Sequence, residues 1–198
     1  MWARLLKGPD MGTSKTATHT RLNLSRRRAL GAGAAAFGLL ALRPAKAALP
    51  QNVRLLQFEN LHTGERMASE YWAGGNYIPE ALGRIAHLLR DHRNNAVHPI
   101  NTGLLDLLDK LHGVLGANAP FQVISGYRSP ESNAKMAAEG HGVATRSLHM
   151  EGMAIDIRVP GVELRTLHKA AMSLGAGGVG YYAQSNFVHV DVGRVRTW

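Results

Sequence analysis

From residue 53 onward the apolar positions switch between two periods, and the switches mark out the elements. Val53-Arg54-Leu55-Leu56-Gln57-Phe58 reads as a strand, His62-Thr63-Gly64-Glu65 as a turn, and Arg66 to Trp72 as a returning strand, which predicts a β-hairpin. Gly74-Gly75-Asn76 breaks the pattern. Pro79 suits the first turn of a helix running to about His92, with Leu82, Ile85, Ala86 and Leu89 on one face. Asn94-Asn95 ends it. A second helix is predicted from about Thr102 to Leu115, with Leu104, Leu105, Leu108, Leu111 and Leu115 inward and Asp106, Asp109 and Lys110 on a solvated face. Phe121 to Ser125 reads as a short core strand, Pro130 to Ala138 as a third helix, and Gly140 to Arg146 as irregular. Met153 to Val159 alternates, with Ile155, Ile157 and Val159 on one face and Ala154, Asp156 and Arg158 on the other. Val162 to Leu174 reads as a helix. Gly175, Gly177, Gly178 and Gly180 then predict a flexible turn into Tyr181-Tyr182, and Phe187 to Val192 a last alternating strand. No internal repeat is visible. Antiparallel strands with segregated helices predict an α+β fold.

Charge changes the picture of the first quarter of the chain. The 198 residues carry a formal net charge of +9, with 23 basic against 14 acidic residues. Residues 1–47 hold nine of the basic residues and one acidic residue, Asp10; residues 48–198 hold 14 and 13, a net of +1. The first segment is laid out as an export signal. A basic stretch ends in Ser25-Arg26-Arg27-Arg28-Ala29-Leu30, an uncharged Ala/Gly-rich run spans Ala29 to Leu42, and Ala45-Lys46-Ala47 offers a small-x-small cleavage site. The paired arginines resemble a twin-arginine (Tat) signal. The expectation is an export signal over 1–47, cleaved after Ala47, and a single working domain over 48–198 in the periplasm. A basic helix, or a tail bound to nucleic acid, is the rival reading of the same residues. No apolar run reaches the 18 residues of a spanning helix. The chain has no cysteine, which excludes disulfides, zinc ribbons, iron–sulfur sites and a thiol nucleophile.

Three polar residues stand out in apolar or Gly-rich surroundings: His149, Asp156 and His189. In the last strand His189, Asp191 and Phe187 share a face, while Val188, Val190 and Val192 take the other. If the two alternating strands are neighbours, one face collects two carboxylates and an imidazole, and His149 can fold over from the preceding loop. Two His and one carboxylate with a fourth position open is a catalytic zinc arrangement. A satisfied core histidine and a solvated aspartate are the bland reading of the same pattern.

Longer motifs add to this. Ser147-Leu148-His149-Met150-Glu151-Gly152-Met153-Ala154-Ile155-Asp156 resembles the Ser-x-His-x-x-Gly-x-Ala-x-Asp signature of the zinc D-Ala-D-Ala peptidase family. Phe187-Val188-His189-Val190-Asp191 is similar to its second zinc block, and Ser125-Gly126-Tyr127-Arg128-Ser129 to its substrate-side block. The run Gly177 to Tyr182 and the ending Arg196 to Trp198 resemble the exported murein endopeptidase K subgroup. The resemblance covers nearly all of residues 50–198.

The resemblance implies a Hedgehog/D-Ala-D-Ala peptidase-like fold, with a small central antiparallel sheet and flanking helices. It implies a metallopeptidase that cuts peptide cross-links of peptidoglycan and holds one Zn²⁺ on His149, Asp156 and His189. Gly152 and Ala154 are expected to let the backbone pass close to the metal. Arg128 matches the family arginine that contacts a substrate carboxylate or the developing oxyanion, with a structural ion pair as the alternative. Ser125 and Tyr127 are expected beside the substrate, and Asn133 to hold that loop. Many relatives place an acid three positions before the last zinc His; here that position is Asn186. Asp191 is therefore expected to accept the proton of the attacking water, or to orient the ligand, with Glu151 a weaker candidate. His62, His87, His92, His98, His112 and His168 are expected on turns and helix surfaces, His141 near the cleft, and Trp72 and Tyr181-Tyr182 in the cleft wall or the core.

Two other activities share these residues: a carboxypeptidase trimming stem peptides, and a zinc-stabilised wall-binding module without turnover. Nucleic-acid binding needs a basic face that a domain of net charge +1 does not promise. The expected partners are peptidoglycan stem peptides and, before cleavage of the signal, the Tat machinery.

Overall fold

The computed structural model describes residues 52–140 and 143–198. The expected export signal, its cleavage point and His141 lie outside the described residues.

One eight-stranded mixed sheet organises the domain. Its strands are β1 (Val53–Asn60), β2 (Arg66–Ala73), β3 (Asn76–Tyr77), β4 (Phe121–Ser125), β5 (Ala154–Arg158), β6 (Gly178–Tyr182), β7 (Phe187–Asp191) and β8 (Arg196–Thr197). They lie side by side in the order β3-β2-β1-β4-β5-β7-β6-β8. The hairpin predicted from 53–72 forms, with β1 antiparallel to β2. β1 pairs β4 in parallel and β6 pairs β8 in parallel, so the sheet is larger than a small antiparallel one and not uniformly antiparallel.

The helices are α1 (Pro79–Leu88), α2 (Thr102–Leu115), α3 (Pro130–Ala138) and α4 (Leu164–Ser173). Each starts where the sequence offers a start signal or close to it. Pro fills the first turn of α1 and α3, and the Asn101 and Ser129 side chains accept backbone N–H groups at the N-termini of α2 and α3. Gly116 closes α2 in the left-handed region. α1 stops at Leu88, four residues short of the expected His92. The chain turns there because the Asp91 carboxylate is fully buried and accepts backbone N–H groups of Arg93 (3.0 Å) and Ser129 (2.9 Å).

The core runs under the sheet in one cluster, from Leu56, Phe58 and Tyr71 through Ile85, Leu104, Leu108 and Phe121 to Ile155, Ile157, Val188 and Val190. β5 and β7 are neighbours, with Ile155 opposite Val190 and Ile157 opposite Val188. These four side chains enter the core, so the alternation sends Asp156 and His189 to the other face. On the expected solvated face of α2, Lys110 is exposed, but Asp106 is engaged: it accepts from Arg54 (2.6 Å), Tyr71 (3.0 Å) and Tyr77 (2.8 Å). No helix among the described residues is long and apolar enough to cross a membrane.

Candidate active site

The β5–β7 register sets Asp156 directly opposite His189, and Ser125 at the end of β4 opposite Asp156 on its other side. Three adjacent strands therefore present their polar residues on one face. His149 comes from a 3₁₀ turn, Leu148–Glu151, closed by Gly152 at φ +63°. The loop after β4 is fastened to its neighbours by its own backbone. Tyr127 N–H donates to the Leu89 carbonyl (2.8 Å), and Arg128 N–H to the His149 carbonyl (3.1 Å). His149 Nδ1 returns a bond to the Gly126 carbonyl (2.7 Å). The loop carrying Arg128 and the turn carrying His149 thus fix each other.

The imidazole tautomers follow from the partners. A carbonyl only accepts, so His149 Nδ1 carries the proton and Nε2 is left with a free lone pair. A carboxylate only accepts too. His189 Nε2 faces Asp191 Oδ2 at 3.1 Å and donates to it, which leaves His189 Nδ1 free. His149 Nε2, His189 Nδ1 and Asp156 Oδ1 then converge, at 3.2 Å between the nitrogens and 3.3 and 2.8 Å from each to the oxygen. Ligand atoms about 2.0–2.1 Å from a tetrahedral Zn²⁺ sit about 3.3 Å apart, so the spacing matches that ion. All three side chains are buried. Burial works to raise the Asp156 carboxyl, but the His149 and His189 imidazoles outweigh it and hold it well below the carboxylate range. Burial likewise opposes protonation of His189, and the bonds to Asp156 and Asp191 overcome it and raise its pKa. A dication would replace that proton as the positive partner.

The position of Asp191 bears on its two expected roles. It shares a face with His189, as the alternation predicts, but it is fully buried and meets the ring at Nε2, the side away from the converging atoms. It does not line the cavity over those atoms. Five donors hold it. Oδ1 accepts from Gly178 N (2.9 Å), Gly193 N (2.8 Å) and Arg196 Nη1 (3.2 Å), and Oδ2 from His189 and Arg196 Nη2 (2.7 Å). Burial works to raise its pKa, and His189, Arg196 and the two backbone N–H groups hold it low. A Cβ on Gly178 would collide with both the Arg196 guanidinium and the Asp191 carboxylate, so this clamp needs glycine there. Of the run read as a flexible turn, Gly178 and Gly180 lie in strand β6, where they make room for the clamp and for Trp198.

Other expected residues divide. Arg128 is 6% exposed and faces the site; its Nη1 donates to Asn133 Oδ1 (3.3 Å), and Asn133 Nδ2 donates to the Ala144 carbonyl (3.1 Å). Ser125 borders the site. Tyr127 does not: its ring belongs to the core and stacks on His98 at 4.8 Å. Glu151 is exposed and outside the cavity. Asn186 lies in the turn before β7 at φ +54°, a conformation that Asn tolerates better than most residues. A Cβ on Gly152 would collide with the Pro99 carbonyl, so the turn needs glycine there. Trp72 sits under Arg54, away from the site.

A cavity of about 640 Å³ opens over the three converging atoms. Its wall includes residues that the sequence reading did not place there: His62, Arg93, Arg146, Arg196 and Trp198. Tyr182, half of the expected aromatic pair, joins them. The Trp198 indole donates to the Tyr182 hydroxyl (2.8 Å) and lies 5.3 Å from the His189 ring. His62 stacks on His92 at 3.7 Å. Among the described residues, Asp156 is the only carboxylate that lines this cavity.

A family model described as peptidoglycan L,D-endopeptidase MepK matches residues 48–198. The chain is 44% identical over 180 residues to the peptidoglycan L,D-endopeptidase MepK of Escherichia coli K12, covering 90% of this chain and 99% of that protein. It is 40% identical over 177 residues to the probable peptidoglycan L,D-endopeptidase MepK of Haemophilus influenzae, covering 88% and 95%. The match spans the β4 loop, the 3₁₀ turn and strands β5 to β8 that build the site, and the chain belongs to the peptidoglycan L,D-endopeptidase MepK family.

Proposed function

We propose that the chain is an exported, zinc-dependent endopeptidase that hydrolyses peptide cross-links of peptidoglycan. The observation that carries this reading is the convergence of His149 Nε2, His189 Nδ1 and Asp156 Oδ1 beneath a cavity that Arg128 also faces. The names of the matched relatives support the substrate. The three residues hold one Zn²⁺, which when bound supplies the Lewis acidity that polarises a scissile carbonyl and activates water. Gly126 and Asp191 keep the two imidazoles in the ligating tautomers. Arg128 takes a substrate carboxylate, or the carbonyl oxygen as charge builds on it. Asn133 and the His149 carbonyl keep Arg128 in place.

The same reading assigns the Hedgehog/D-Ala-D-Ala peptidase fold, a Tat signal over 1–47 cleaved after Ala47, and action in the periplasm. Fusing residues 1–47 to a folded reporter tests the address: export should stop in cells lacking the Tat translocase. Digestion of defined muropeptides, read by mass spectrometry, tests the activity. Cross-linked dimers should fall to monomers while uncross-linked pentapeptides persist. A His149→Ala protein with full activity would sink the assignment. Trimming of terminal residues alone would make the enzyme a carboxypeptidase. Tight wall binding by zinc-loaded protein with no turnover would make it a binding module.

A further inference from the structure

The working domain is close to neutral, yet its charge is unevenly placed. Four of its 14 basic residues, Arg93, Arg128, Arg146 and Arg196, line the cavity, against one of its 13 acidic residues. Asp156 is engaged by the two imidazoles. Arg196 is neutralised by Asp191, behind the wall. The other three guanidiniums have little to balance them. Arg128 is buried, and among the described residues its guanidinium makes one hydrogen bond, at 3.3 Å to a neutral amide, and its Nε–H has no partner. A buried guanidinium with an unmet donor is costly unless a ligand completes it. Arg93 approaches Asp91 only at 3.5 Å, and both Asp91 oxygens are already held by backbone N–H groups. Arg146 has no ion pair or hydrogen bond among the described residues. Burial lowers the Arg128 pKa and repulsion from Arg93 adds to it, while Asp156 and Asp91 oppose both.

Resting on the endopeptidase reading, we infer that Arg93 and Arg146 form a second carboxylate subsite beside Arg128. The enzyme therefore selects cross-linked peptides that carry free carboxylates on both sides of the scissile amide. Guanidinium forks match carboxylates in shape and charge, and a carboxamide at the same place presents an N–H₂ to a donor. At the buried Arg128 an amide leaves a donor unpaired, and at the exposed Arg93 and Arg146 it removes a charge-assisted contact.

The test uses the zinc-loaded full chain and two cross-linked peptides that differ only at the carboxyl groups flanking the scissile amide, free in one and amidated in the other. Amidation should lower kcat/KM by about 10- to 100-fold, mostly through KM, the range expected for a charged hydrogen bond. Arg93→Gln and Arg146→Gln together should cut the acid-to-amide ratio by about tenfold, leaving only the part that Arg128 supplies. Equal kcat/KM for the two peptides, or an undiminished ratio in the double variant, overturns the subsite. If neither peptide is cut, the endopeptidase reading fails separately. Calorimetric binding of the two peptides then decides the subsite, and equal affinities overturn it.

Discussion

The role of Asp191 can be separated from that of a proton acceptor by replacing it with Asn. The side chain keeps its shape, and its remaining oxygen can still accept from Gly178 N and Gly193 N, now at 2.9 and 2.8 Å. The amide nitrogen then stands where Oδ2 accepted from His189 Nε2 (3.1 Å) and Arg196 Nη2 (2.7 Å). Donor meets donor. The imidazole can relieve this by moving its proton to Nδ1, the atom that faces His149 and Asp156, and a protonated nitrogen cannot bind a metal. Losing one charge-assisted bond costs about 1.5–3 kcal/mol. That agrees with the 10- to 100-fold loss of metal affinity typical of such orienting partners, equivalent to about 1.4–2.7 kcal/mol. Competition with a chromogenic chelator should show zinc affinity reduced by that factor, and activity should return substantially when zinc is raised to saturation. Wild-type zinc affinity in Asp191→Asn would refute the orienting role. So would a loss of about a thousandfold or more at full zinc occupancy, a size within the 10²–10⁴ that general-base catalysis supplies, because that pattern belongs to a group handling the proton.

Chelation of the full chain should abolish hydrolysis, and Zn²⁺ should restore it where Mg²⁺ does not, since two imidazoles and one carboxylate suit the softer ion; recovery with Mg²⁺ would argue against the donor set. Asn133→Ala should raise KM about fivefold, roughly 1 kcal/mol, because the 3.3 Å bond that steadies Arg128 is lost; steady-state kinetics showing an unchanged KM would remove Asn133 from the site. Gly178→Ala should destabilise the domain by about 1–3 kcal/mol through overpacking against Arg196 and Asp191, with a lower urea midpoint and weaker zinc binding together. His92 titrates at about 4, pushed down by burial and then by His62 and Arg93. An unfolded His titrates near 6.5, so below that pH the unfolded chain takes the proton first and stability falls as pH drops from about 6.5 towards 4. His92→Phe should flatten that part of the urea-midpoint curve, and an unaltered slope would show that another group controls it.

Period alone carried most of the fold and about half of the site. Alternation in 153–159 and 187–192 told which side chains share a face, and it was right to send Val188 and Val190 inward and His189 outward. It could not tell which strands are neighbours. That came from the β5–β7 register, in which Ile155 meets Val190 and brings Asp156 against His189. The 177–180 glycines hid a strand because a residue without a side chain shows no alternation, and glycine is depleted in strands. Their reason lies elsewhere in the chain, in the bulk of Arg196 and Trp198 that must fit beside them. Asp191 shows the limit of same-face reasoning: it predicts that two side chains meet, not which nitrogen of an imidazole is touched, and here that choice separates an orienting carboxylate from a reacting one. Charge was hidden in a similar way. Arg93 follows α1, Arg128 follows β4, Arg146 precedes the 3₁₀ turn, and Arg196 lies on the edge strand. Spread over more than a hundred positions and diluted by 13 acidic residues, they sum to near neutrality. Folding gathers them around one cavity and leaves nearly all of the acids outside it, so the field a substrate meets is set by topology and not by composition.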